Sequence, residues 1–290
     1  MPPLVSVLIT VFNREEYLAS AVESVLSQTL TDFELIIVDD CSKDRSLEIA
    51  RSYKTDLRVK AFSNEHNLGQ FPNRMRAAEL ARGRYVKYVD SDDVIYRHSL
   101  SAMVEALDAH PDAALALSHS SPDDQQPYPW KLSPAEAWRK EFLGRGCLSA
   151  GPSAAILRRD ALFEIGGFGH WGAINDIDLW YRMAARWPVV LLPPGLVWWR
   201  RHDKQTLTEE EAPIVYLEQG FGLTMATLSS PECPLSEAER ASALKRARQY
   251  HARRLLSLAG RRRQPQQAWR LFRKSGIGFR GLLRGFRRYQ

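Results

Sequence analysis

In the first half of the chain, short unbroken apolar runs alternate with stretches whose apolar residues recur at helical spacing. Val5-Ser6-Val7-Leu8-Ile9 predicts a strand, and Leu18, Ala21, Val22, Val25 and Leu26 form one face of a helix. Leu35-Ile36-Ile37-Val38 is apolar throughout and ends in Asp39-Asp40, the pattern of a strand buried on both faces. Ser46 to Tyr53 predicts a second helix, Val59 to Phe62 an extended segment, and Pro72 to Ala81 a third helix that stops near Gly83. Tyr85 to Val89 predicts a fourth strand, again closed by carboxylates from Asp90 onward. A helix from about His98 to Ala109 and a strand over Ala114 to Leu117 follow. This alternation implies an α/β fold with a largely parallel sheet covered by helices. Open sheets of that kind bind ligands beyond the carboxyl ends of their strands. Three polar clusters stand at such ends: Thr10 to Asn13, Asp39-Asp40, and Asp90 to Asp93.

The second half is less regular. Ser121 to Pro134, rich in Pro and Asp, predicts a loop, and Ser133-Pro134-Ala135-Glu136 has the cap, first-turn Pro and Glu that open a helix. Ala150 to His202 is mixed. Beyond Thr206 the pattern is helical, and from Ala241 it is helical and basic. At 290 residues and 44% apolar composition, the chain is long enough to bury a sizeable core.

Charge divides the chain sharply. Residues 241–290 hold 15 Lys or Arg and no Asp or Glu, whereas residues 1–240 carry 25 basic against 34 acidic side chains. The net +6 therefore combines an acidic body with a strongly basic end, an electrostatic address for an anionic surface or polymer. No nucleic-acid recognition motif accompanies it. Cys41, Cys147 and Cys233 form neither a disulfide framework nor a metal pattern, which fits a reducing cytoplasm. No stretch reaches the roughly 18 apolar residues of a membrane-spanning helix, and the N-terminus carries no signal-peptide pattern.

Asp90-Ser91-Asp92-Asp93 places three carboxylates in four residues, which repel one another unless a cation sits among them. Oxygen ligands at a strand end suit a hard ion such as Mg²⁺ or Mn²⁺ that also binds phosphate. A solvated acidic turn capping the next helix is the alternative. Asp39-Asp40 either hydrogen-bonds a base or ribose or caps the helix that follows. Thr10, Phe12 and Asn13 either bracket a nucleobase or belong to the core.

Several ordered motifs together resemble family 2 inverting glycosyltransferases with the GT-A fold. They are Val5 to Asn13, Ser24 to Thr29, Glu34 to Ser42, Asn67-Leu68-Gly69, Ala81 to Tyr85 and the Asp-x-Asp-like Asp90 to Asp93. Gly166-Gly167-Phe168 and Asn175 to Trp180 resemble the acceptor-side motifs. The resemblance covers roughly residues 4–205, about two thirds of the chain. It implies a GT-A domain over residues 1–205, with a nucleotide-sugar-binding half at 1–118 and an acceptor half at 119–205, and a helical, basic extension at 206–290. It further implies a nucleotide-sugar donor held by Thr10, Phe12, Asp39, Asp40 and Asp90. Asp92 and Asp93 would hold Mg²⁺ or Mn²⁺ on its diphosphate. Asp176 matches the carboxylate that deprotonates the acceptor hydroxyl.

Two departures stand out. Val11 replaces the usual Pro, and Asn175 replaces the Glu that commonly precedes the base, so the usual carboxylate pair is missing. Losing that neighbouring charge is expected to lower the pKa of Asp176. Asp178 is the fallback base, its alternative being a helix-terminal carboxylate. His202, in Trp198-Trp199-Arg200-Arg201-His202, matches a residue that reaches the metal or diphosphate in related enzymes, or else is structural.

The implied acceptor is a glycan or lipid-linked molecule of the cell envelope. The basic end, with Trp269, Leu271, Phe272, Ile277, Phe279, Leu282, Leu283 and Phe286 interleaved among its cations, has the composition of an interfacial helix. The expected partner of residues 241–290 is thus an anionic membrane, placing the protein in the cytoplasm at the membrane's inner face. A solvated basic tail is the alternative. Two rivals stay open: a sugar-phosphate nucleotidyltransferase, for which Thr10 to Arg14 lacks the phosphate-loop glycine, and a nucleotide-sugar-binding protein whose chemistry has lapsed.

Overall fold

The computed structural model describes residues 1–118, 126–203, 205 and 212–284. The apolar runs become strands β1 (Val5–Val11), β2 (Phe33–Asp39), β3 (Val59–Ser63) and β4 (Tyr85–Asp90). They lie side by side in the order β3-β2-β1-β4, all parallel. Helices α1 (Leu18–Leu26), α2 (Ser46–Ser52) and α3 (Gln70–Leu80) make the crossovers. Every residue of β2 is buried, which explains its unbroken apolar sequence. The helix α3 starts two residues before the expected Pro72. That proline sits in the first turn, where backbone N–H groups have no intrahelical partner to lose.

After β4 come β5 (Val94–Ile95), α4 (Ser99–Asp108), β6 (Leu115–Ser118), β7 (Trp130–Leu132), α5 (Pro134–Phe142) and β8 (Ala155–Arg158). Helices α6 (Arg159–Glu164) and α7 (Asn175–Arg186) and strands β9 (Val189–Leu192) and β10 (Val197–Trp198) complete this part. The sheet continues from β4 through β8, β6 and β9 to β7, and here it is mixed. β8 runs antiparallel to β4 and β6, β6 parallel to β9, and β9 antiparallel to β7. The sheet is thus mostly parallel, as expected, with β8 and β7 as its antiparallel strands. β7 lies inside the stretch expected as loop; three residues are too few to give a periodic signal, and residues 119–125 lie outside the described ones. β5 and β10 form a separate antiparallel ribbon.

The chain divides into two compact units. The first comprises residues 1–137, 147–169 and 175–201; the second comprises 138–146, 170–174 and 202–290. The first unit's core packs Val7, Ile9, Leu35 and Ile37 of the sheet against Val22 and Val25 of α1 and Leu100 and Met103 of α4. The second unit is built on α8 (Ala212–Ser229), α9 (Glu237–Gly260), α10 (Pro265–Ser275) and α11 (Phe279–Arg284). Ser236 and Glu239 close a reciprocal capping box at the start of α9. Leu217, Leu255, Leu258, Leu271, Phe272 and Ile277 form its core.

At the amino-terminal edge of the sheet, Gly83 approaches β1 so closely that its N–H donates to Ser6 Oγ at 2.8 Å. A Cβ at this position would lie 2.5 Å from the Ser6 backbone nitrogen and 2.8 Å from the Val5 carbonyl carbon, neither of which can swing aside. Gly83→Ala is therefore expected to cost about 2 kcal/mol and lower the melting temperature by several degrees. Gly151→Ala, whose Cβ would enter open space, should melt with the wild type. Thermal denaturation of both variants checks this.

Candidate active site

Because β2, β1 and β4 are adjacent and parallel, their carboxyl ends bring the three polar clusters to one edge. The loops after β1 and β2 are tied to each other. Asn13, at φ 53°, accepts from the Lys43 N–H at 2.8 Å, and its own N–H donates to Ser42 Oγ at 3.0 Å. Thr10, the next-to-last residue of β1, is partly exposed, and Phe12, just past the strand, is 41% exposed.

The two aspartates after β2 differ in their bonding. Asp40 accepts from Leu68 N, Gly69 N and Asn64 Nδ2 at 2.8–2.9 Å, so its carboxylate builds the loop before α3. Asp39 accepts from Ser42 N through Oδ2 at 3.0 Å, while its buried Oδ1 has no donor. A buried acceptor without a donor is costly, and a ligand N–H would satisfy it.

At the end of β4, Asp90 and Asp92 each meet a guanidinium, whereas Asp93 is held by uncharged donors. Asp90 pairs with Arg74 of α3 at 2.5 Å, and Asp92 accepts from Arg14 Nε at 3.3 Å. Asp93 accepts from the backbone N–H of Arg200 at 3.2 Å, and the neighbouring Ser153 hydroxyl favours its ionised form. The Arg200 side chain reaches back to Asp92 O at 2.9 Å, and its guanidinium lies over the rings of Trp198 and Tyr17. Asp93 is only 3% exposed, not solvent-facing as an acidic turn would be. Burial and the charges of Asp90 and Asp92 push its pKa up to about 7.

Asp176 stands in the first turn of α7, deep in the fold yet partly open to solvent. Burial pushes its pKa up to about 6, against the field of Arg74 and with that of Asp90. Desolvation thus raises the Asp176 pKa above the ordinary carboxylate value even without a carboxylate at position 175. Asp178 is committed elsewhere: it accepts from Arg182 at 2.9 Å, and Arg182 donates to the carbonyls of Ile165 and Gly167. That clamp seats the Gly166-Gly167 turn, with Phe168 against Phe71 and Tyr88 at ring distances of 5.2 and 5.7 Å. His202 falls in the second unit.

Arg74 and Lys87 belong to this edge although sequence pattern alone assigns neither a role. Arg74, 4% exposed, joins Asp90 directly, acts electrostatically on Asp176, and keeps a buried Nε without a partner. Its position in α3, one turn after the Gly69 N-cap, was the available signal. Lys87 is fully buried, and burial pulls its pKa down to about 7 against the pull of Asp90 and Asp93.

Among the described residues no three His, Cys, Asp or Glu side chains form a complete ligand set. A hard divalent ion nevertheless fits Asp92 and Asp93: the donors are carboxylate oxygens, and the raised pKa of Asp93 marks a local shortage of positive charge. Phosphate oxygens and water commonly complete the shell of such an ion.

A family model described as Glycosyl transferase family 2 matches residues 6–166. Over 104 residues the chain is 41% identical to the putative teichuronic acid biosynthesis glycosyltransferase TuaG of Bacillus subtilis, covering 36% of this chain and 41% of TuaG. It is 36% identical over 109 residues to the poly(ribitol-phosphate) beta-N-acetylglucosaminyltransferase TarS of Staphylococcus aureus, covering 36% of this chain and 19% of TarS. The matches thus span about two fifths of TuaG and one fifth of TarS. TarS 1–349 in complex with UDP superposes with a TM-score of 0.64 at 22% identity, covering 87% of this chain and 72% of that one. The mannosyltransferase PcManGT of Pyrobaculum calidifontis, in complex with GDP-Man and Mn²⁺, gives 0.65 at 15%, covering 98% and 86%. The fold is therefore GT-A.

The raised pKa of Asp176 has a consequence for stability. Below the ordinary carboxylate range the residue is protonated in both folded and unfolded chains and costs nothing. Between pH 4 and about 6 only the unfolded chain ionises, so stability falls; above about 6 the full penalty is present. Asp176→Asn should therefore stabilise the protein by about 2 kcal/mol at pH 7.5, a gain that vanishes below pH 4. Thermal unfolding across that pH range measures it; a gain that is constant with pH would show an unperturbed Asp176.

Proposed function

Because the chain belongs to glycosyl transferase family 2, we propose that it is a metal-dependent inverting glycosyltransferase. It moves a sugar from a nucleoside diphosphate sugar to a hydroxyl of a cell-envelope glycan or lipid-linked acceptor. The meeting of Asp90, Arg74 and Asp176 at the edge that also holds Asp39 and Asp93 carries this assignment. TuaG and TarS are named for teichuronic acid and poly(ribitol-phosphate), and TarS structures contain UDP or UDP-GlcNAc, which favours an envelope acceptor and a nucleotide-sugar donor.

In this mechanism Asp39 Oδ1 accepts from the nucleobase, and Phe12 stacks on it beside Thr10. Asp40 acts at one remove, by shaping the loop before α3. Asp90, fixed by Arg74, faces the ribose or donor sugar. The acceptor oxygen attacks the anomeric carbon from the face opposite the diphosphate. As that bond forms, the carbon–oxygen bond to phosphate breaks, its electrons leave with the diphosphate, and the acceptor proton passes to Asp176. A pKa of about 6 suits this base near neutral pH without a second carboxylate at position 175. Mg²⁺ or Mn²⁺ on Asp92 and Asp93 would neutralise charge on the departing diphosphate.

Asp93→Asn and Asp92→Asn should each abolish manganese-dependent binding of UDP, GDP and dTDP sugars in protein that still folds and unfolds cooperatively. Asp176→Asn should bind donor nearly as well as the wild type yet transfer at least about a hundredfold more slowly. Calorimetric donor titration and a transfer assay report both; loss of transfer in Asp178→Asn with Asp176→Asn active would move the base two residues along.

The second unit supports the anionic-membrane part of the proposal, in narrower form. Leu271, Phe272 and Ile277 belong to its own core and are not available to lipid, whereas Trp269, Phe279 and Leu283 are 51–65% exposed. Gln266, Trp269, Arg270, Arg273 and Lys274 line a shallow groove on α10, and Trp269 stacks near Phe279 at 6.1 Å. Phe286, Arg287 and Arg288 lie outside the described residues. No described helix is long and apolar enough to cross a membrane. The intact protein should sediment with anionic vesicles at low salt and weaken as salt shortens the Debye length below about 8 Å. Arg273→Glu should remove most of the salt-sensitive binding, and Trp269→Ser with Phe279→Ser the salt-resistant remainder. Intact protein left in the supernatant at low salt would make an acceptor or protein partner the better account of this surface.

A further inference from the structure

β4 and β8 pair over two positions only, Tyr85 with Arg158 and Val86 with Leu157. Beyond Val86 the last four residues of β4, which lead into the aspartates, have no partner on β8. Two side chains span that gap. The ammonium of Lys87, 0% exposed, donates to the carbonyl of Tyr88 at 3.0 Å and to the carbonyl of Ser153, two residues before β8. The hydroxyl of Ser153, 3% exposed, accepts from the backbone N–H of Asp90 at 2.9 Å and lies near enough to the Asp93 carboxylate to favour its ionised form. Burying an ammonium in the middle of a strand is expensive, and an apolar residue at that position would pack at lower cost. Carbonyl acceptors offset the expense here, and what they secure is the junction between the aspartate turn and the start of β8.

We propose that Lys87 and Ser153 form a positioning pair that holds Asp90 and Asp93 in register with β8 for the donor diphosphate and its metal. Neither residue touches the substrate. Lys87 fixes the Ser153 backbone, and Ser153 in turn fixes one amide and one carboxylate of the aspartate turn. Removing the hydroxyl frees the Asp90 N–H and takes a favourable neighbour from Asp93, while leaving the base-binding loops after β1 and β2 untouched. The proposal rests on the assignment of Asp90–Asp93 to the donor diphosphate.

The test is calorimetric titration of UDP, and of GDP in parallel, with Mn²⁺ and with EDTA. Ser153→Ala should weaken Mn²⁺-dependent nucleotide affinity about tenfold or more, the scale typical of groups that orient metal ligands. Affinity in EDTA should stay at the wild-type level. Ser153→Thr, which keeps the hydroxyl, should restore the Mn²⁺-dependent part, and Lys87→Met should reproduce the loss. Equal weakening with and without Mn²⁺ would show general disruption and overturn the inference, as would Ser153→Ala binding like the wild type. If the wild-type chain itself gains nothing from Mn²⁺, the donor-site assignment fails, and the inference with it.

Discussion

Four carboxylates, Asp39, Asp90, Asp92 and Asp93, share the end of three adjacent parallel strands, and their mutual repulsion is the constraint that the rest of the first unit answers. The backbone leaves no freedom in this: parallel strands in adjacent positions must end at one edge, so whatever polar residues close them are brought together. Each compensating group comes from a different element. Arg14 arrives from the loop after β1, Arg74 from α3, Lys87 from within β4, and Arg200 from the residues after β10. Had these cations been clustered in sequence, they would read as a basic motif; scattered as they are, each alone reads as a surface charge.

The compensation is incomplete, and its residue is chemically useful. Asp90 and Asp92 each have a guanidinium, but Asp93 has only a backbone N–H and a nearby hydroxyl, and burial holds its pKa near neutrality. Asp39 keeps one buried oxygen without a donor. Asp176 has Arg74 nearby, yet its burial dominates. Three groups thus stay short of positive charge or of a donor, and they are the three assigned to metal, base and acceptor proton. Unsatisfied groups of this kind are a cost that stable folds remove elsewhere, as Asp40 and Asp178 show with every link made inward.

Much of the fold was legible because its signal is local. The β1, β2 and β4 runs, the helical spacing of α1 and the acidic strand ends each occupy fewer than a dozen consecutive residues, and all reappear in place. What escaped depends on pairing across distance. The antiparallel insertion of β8 between β4 and β6 cannot be read from the alternation of the strands before it. The burial of Asp93 depends on Ser153 and Arg200, 60 and 107 residues away, so the acidic run by itself could not separate a cation site from a solvated turn. For Asp176 the sequence shows only the missing carboxylate at position 175; the enclosure that raises its pKa belongs to the fold.

The same distinction bears on the basic end of the chain. Its interleaved aromatics and arginines suggested a single interfacial stripe, since composition cannot separate residues that cover a core from those that face outward. The helical unit sorts them: Leu271, Phe272 and Ile277 turn inward against Leu217, Leu255 and Leu258, and the arginines of α10 remain outside with Trp269. Packing the inward set stabilises the unit and at the same time fixes the outward set in one orientation. A disordered basic tail would bind an anionic surface through charge alone. A packed one offers a few exposed aromatics at set positions beside the cations, so any attraction to such a surface would have a geometry as well as a sign.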